Sequence, residues 1–74
     1  MYTIKVIDTR DGRPVEYAKV GVVYHGFFRG STKDLRTDSN GEAHFDYDNG
    51  NGEVYVNGNK LYDGEIKGRI VIYI

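Results

Sequence analysis

Apolar and polar residues alternate with a period of two along nearly the whole chain, and clusters of Asp, Asn and Gly interrupt the runs at short intervals. That pattern dictates strands. A half-buried strand sends alternate side chains to one face, whereas an amphipathic helix spaces its apolar residues three or four apart, and no such spacing competes here. A length of 74 residues has room for one domain. The chain has no cysteine, so no disulfide and no thiolate metal site reinforces it. A core this small offsets the entropy of ordering only narrowly, which makes a second subunit a natural supplement.

The first strand is predicted from Tyr2 to Asp8, with Ile4 and Val6 on one face and Thr3 and Lys5 on the other. Thr9 to Arg13 reads as a turn with Gly12 at positive φ, and Pro14 opens the next strand, where no ladder donor is needed. The second strand, Tyr17 to Tyr24, directs Ala18, Val20, Val22 and Tyr24 to one side. A third, less regular and at an edge, falls between Phe27 and Thr37. Asp38-Ser39-Asn40-Gly41 is a hairpin signal leading to Glu42–Tyr47, where Ala43, Phe45 and Tyr47 alternate with Glu42, His44 and Asp46. Asp48 to Gly52 reads as a second turn before a short strand, Glu53 to Asn57, and Asn57-Gly58-Asn59 as a third. Leu61 and Ile66 mark a sixth segment broken at Gly64. The last strand, Arg69 to Ile74, points Ile70, Ile72 and Ile74 one way and Val71 and Tyr73 the other. Turns so regularly spaced predict a small all-β, antiparallel sandwich or barrel of about seven strands, and a β-sandwich is the expected fold. Its expected core is Ile4, Val6, Val20, Val22, Phe45, Val54, Ile70 and Ile72, while Tyr2, Tyr55, Tyr62 and Tyr73 are expected on outer faces.

The run from Lys5 to Val15, with its Asp8, Gly12-Arg13-Pro14 turn and following Ala18-Lys19-Val20, resembles the opening of transthyretin-like (prealbumin-like) and carboxypeptidase-regulatory-like domains. Thr37-Asp38-Ser39-Asn40-Gly41, leading to Phe45, is similar to their second hallmark, a Thr-Asp-x-x-Gly turn before an aromatic. The resemblance implies a prealbumin-like sandwich. It does not extend to the family's catalytic branch, the hydroxyisourate hydrolases. Those enzymes place a histidine where this chain has Lys5, before Val6-Ile7-Asp8-Thr9, and end in Tyr-Arg-Gly-Ser, where this chain has Val71-Ile72-Tyr73-Ile74. Arg36 matches an arginine that the hydrolases place before their second turn. The fold alone carries no function, and no enzyme activity is expected.

Other chemistry is equally thin. Ser31 and Ser39 lie in loop or turn contexts with no nucleophile-elbow motif. His44 sits on a polar strand face beside Glu42 and Asp46, and two ligands on one strand face are too few to close a metal site. Setting Gly41 as the sixth position of an EF-hand loop puts Arg36 first and Tyr47 twelfth, and neither offers the carboxylate those positions need. No cofactor is expected. The formal net charge of −1 argues against a nucleic-acid binder, and no apolar run approaches a membrane span. With no signal-peptide pattern after Met1, the chain as written is expected in the cytoplasm, or at the surface or secreted if it comes from a longer protein.

Tyr24-His25-Gly26-Phe27-Phe28-Arg29 is the most suggestive segment. Neighbouring strand residues face opposite sides, so Phe27 and Phe28 cannot both enter one core. Aromatics near an arginine are what interfaces favour. Tyr24, Phe27, Phe28, Arg29 and Tyr73 are therefore the candidate binding residues of a protein-interaction or structural accessory module, contacting a protein partner or forming a homodimer. A ligand-binding module for carbohydrate or calcium is the alternative.

Overall fold

The computed structural model describes residues 1–26 and 30–74. Among these residues there is no helix, and hence none able to cross a membrane. There are seven strands: β1 (Tyr2–Ile7), β2 (Lys19–Tyr24), β3 (Leu35–Arg36), β4 (Glu42–Phe45), β5 (Gly50–Val56), β6 (Asn59–Ile66) and β7 (Gly68–Tyr73). They form a three-stranded sheet, β4-β1-β7, and a four-stranded sheet, β3-β2-β5-β6. The inward residues of both sheets bury a single apolar cluster. All eight residues expected in the core are there, joined by Tyr2, Ala18, Ala43, Val56 and Ile66.

Strand direction departs from expectation. β1 is antiparallel to β4 but parallel to β7, with Ile4 opposite Ile70 and Val6 opposite Ile72. Alternation specifies which face a side chain takes and carries no information on direction. The parallel pair requires a long connection, and here everything between β1 and β7 supplies it.

The Asp38 turn also has a different task. It joins β3 of one sheet to β4 of the other, so it carries the chain between sheets and closes no ladder. Asp38 Oδ1 accepts the amides of Asn40 (2.9 Å) and Glu42 (3.0 Å), and Gly41 turns at φ 73°. Gly41 is buried, and a Cβ there would lie 2.7 Å from the Val6 carbonyl oxygen.

Of the edge strand expected between Phe27 and Thr37, the described residues pair at Leu35–Arg36 and, as an isolated bridge, at Ser31 with Val23; its start falls on residues outside those described. Two buried threonines replace ladder bonds there. Thr32 Oγ1 accepts the Val22 amide (3.0 Å), while Thr37 Oγ1 accepts the Ala18 amide (2.8 Å) and donates to the Val15 carbonyl (2.6 Å). Among the described residues, no buried side-chain polar atom lacks a partner.

Three further expectations are corrected. Gly50 and Gly52 belong to β5 and not to a turn, because β2 passes so close that a Cβ on Gly52 would lie 2.5 Å from the Val23 carbonyl oxygen. β6 runs unbroken through Gly64, which faces Gly52 in the ladder. Tyr2 is in the core, stacked on Phe45 with ring centroids 5.3 Å apart, and Tyr62 is half-buried against the same cluster.

Candidate functional site

The structure separates the residues singled out in the sequence. Tyr24 is half-buried at the end of β2, and its hydroxyl donates to the Asp48 carbonyl (2.9 Å) and meets the Tyr2 hydroxyl. Tyr24 thus packs inward. Tyr73 lies on the other sheet, 63 % exposed on the outer face of β7. Phe27, Phe28 and Arg29 lie outside the described residues. Arg36 rests over the Tyr17 ring, 4.7 Å from its centroid, on the surface.

The outer face of β4-β1-β7 holds the densest polar constellation. Register places His44, Thr3 and Arg69 in one row and Glu42, Lys5 and Val71 in the next. Arg69 reaches across β1 to Glu42, with Nη1 2.6 Å from Oε2. Thr3 Oγ1 lies 2.9 Å from His44 Nδ1. The other ring nitrogen, Nε2, lies 3.7 Å from Asp38 Oδ2 and 3.7 Å from Glu42 Oε1. Asp38 therefore joins His44 and Glu42, whereas the sequence suggested Asp46. Its turn made that legible, since the chain doubles back between Asp38 and Glu42. Amide hydrogen bonds from Glu42 and Asn40, with help from His44, hold the Asp38 carboxyl below the usual carboxylate range.

A second cluster occupies the outer face of the four-stranded sheet. His25 Nε2 lies 3.0 Å from Asp63 Oδ1, Lys60 Nζ 3.6 Å from Glu53 Oε2, and the Tyr55 hydroxyl donates to Glu53 Oε1 (2.9 Å). On the same sheet, a cleft of about 450 Å³ is lined by Gly21, Ser31, Lys33, Asp34 and Tyr55.

The edges of the two sheets differ. Ile74 donates to the Ile7 carbonyl and accepts the Thr9 amide, each at 2.8 Å. Backbone groups alternate sides along a strand, so Val71 and Tyr73 turn theirs to the open side of β7. No described strand pairs there. β6, also an edge, carries Lys60, Asp63 and Glu65 and sits beside an irregularity at Val54/Tyr55. Charges and bulges blunt an edge; from Ile70 to Tyr73, β7 has neither.

Comparison with protein-family models, curated proteins and solved structures finds no match to this chain.

Proposed function

We propose that this domain is a non-catalytic interaction module, built as a prealbumin-like sandwich, that pairs with a second copy of itself along the open edge of β7. The sandwich reading is supported by two sheets around one apolar cluster and by the turns at Gly12 and Gly41, both at positive φ, which lie within the stretches resembling transthyretin-like domains. The observation that carries the association is the β7 edge itself, with Val71 41 % and Tyr73 63 % exposed beside backbone groups that no described strand pairs. An edge of this kind is a template for another strand, and pairing would add apolar cover to a small core.

Light scattering across the micromolar range tests it. The wild-type chain should show a dimer mass, and Val71→Lys with Tyr73→Lys should return it to monomer with its circular dichroism unchanged. A monomeric wild-type mass overturns the proposal. A second reading, a carbohydrate-binding module, rests on the cleft that Tyr55 lines together with Asp34 and Lys33. A glycan array with Tyr55→Ala as control separates the two.

A further inference from the structure

We propose that Asp38, Glu42 and His44 form a site for a divalent transition-metal ion of the Zn²⁺ class on the outer face of the three-stranded sheet. One donor atom from each residue converges, all within 4.8 Å of one another. The two 3.7 Å separations from His44 Nε2 are too long for hydrogen bonds. They are close to the spacing of about 3.4 Å between neighbouring ligand atoms in a tetrahedral site with bonds near 2.0–2.1 Å. His44 Nε2 therefore faces both carboxylates across a gap and hydrogen-bonds to neither.

Each residue is also held by its other polar atom. Asp38 Oδ1 accepts the Asn40 and Glu42 amides, leaving Oδ2 for the gap. Glu42 Oε2 is clamped by Arg69, leaving Oε1. His44 Nδ1 faces Thr3 Oγ1, and a proton on Nδ1 donated to that oxygen leaves the Nε2 lone pair free. Partners of this kind orient the ligands of metal sites.

The other histidine cluster shows the contrast. There His25 and Asp63 close to a 3.0 Å hydrogen bond and the Lys60 ammonium already stands against Glu53. His25, Glu53 and Asp63 also bring one donor atom each within 4.8 Å of one another, but there the imidazole is already hydrogen-bonded to a carboxylate, which a metal ion would have to break. Around His44, an imidazole with two carboxylates suits Zn²⁺ and its neighbours in the first transition row. Calcium takes roughly six to eight oxygens, more than these residues supply. Three protein ligands leave a fourth position for water. The three ligands lie on β4 and the turn before it, at the edge opposite the open side of β7, and only Arg69 of β7 reaches across to them, so Zn²⁺ binding is read separately from dimer formation.

Isothermal titration of ZnCl₂ into the full chain is the test, run beside His44→Ala, His25→Ala and Thr3→Val. His44 and His25 are exposed, so their removal should leave the fold intact, which circular dichroism checks. The wild type should bind one Zn²⁺ saturably. His44→Ala should weaken binding at least tenfold and His25→Ala should leave it unchanged. Thr3→Val should weaken it by about 10–100-fold. Absence of saturable Zn²⁺ binding by the wild type, binding undiminished in His44→Ala, or Ca²⁺ bound as tightly as Zn²⁺ would each overturn the assignment.

Discussion

The hydroxyls of Tyr2 on β1 and Tyr24 on β2 meet across the interior, so one hydrogen bond ties the two sheets together. Tyr24 donates its only hydroxyl proton to the Asp48 carbonyl, so Tyr2 is the donor to Tyr24. Burial, then the bond to Tyr24, raises the Tyr2 phenol far above its ordinary value. The neutral form is the one that fits the folded state. The stabilisation is therefore fully present below the unfolded tyrosine value of about 10 and is lost as pH rises beyond it. Ultraviolet titration should show at least one tyrosine failing to ionise with the others near that value. Alkaline unfolding should shift to higher pH in Tyr2→Phe.

Phe45 stacks on Tyr2 with an interplanar angle of 12° and touches the Tyr47 ring at 6.2 Å between centroids. Phe45→Ala should cost about 3–5 kcal/mol. That is a large share of the roughly 5–15 kcal/mol typical of a domain, so urea denaturation should find the variant largely unfolded or with a much lower midpoint.

Gly41 and Gly12 both turn at positive φ, 73° and 71°. A Cβ at Gly41 would also strike Val6 O and Pro14 Cβ at 2.7 and 2.8 Å, whereas nothing lies within 4 Å at Gly12. Gly41→Val should lower the melting temperature well beyond the loss in Gly12→Ala, which carries only the backbone strain of about 1–3 kcal/mol. An unchanged melting temperature in Gly41→Val would remove this account of the turn.

Thr37→Val keeps the shape of a buried side chain but strands the Ala18 amide and the Val15 carbonyl. Each unpaired group costs about 1–3 kcal/mol. Thr37→Ser retains the hydroxyl and should recover most of the loss in a urea titration.

Pairs such as Ile4/Val6, Val20/Val22 and Ile70/Ile72 were legible because a period of two assigns faces without knowledge of neighbours. Tyr2 shares their parity, yet its polar tip suggested an outer face, and only the position of Tyr24 shows where that tip is satisfied. Gly52 was read as a turn residue because a sequence cannot distinguish a glycine needed for positive φ from one needed for close approach by another strand. The Asp38–Glu42–His44 grouping was partly legible, as a turn followed by a strand with two polar residues on one face. Arg69, which arrives from the far end of the chain, was not.

The parallel pairing of β1 with β7 has a consequence for the route to the native state. β1 is the middle strand of its sheet, and one of its two neighbours is the last strand of the chain. That sheet cannot close around β1 until β7 has been brought to it. Loop-closure entropy must be overcome before those contacts form, which places refolding in the millisecond-to-second range typical of proteins with distant strand pairings. During that interval β1, with Ile4 and Val6 along it, has one side open, and that is when the chain is most exposed to mispairing with its own copies.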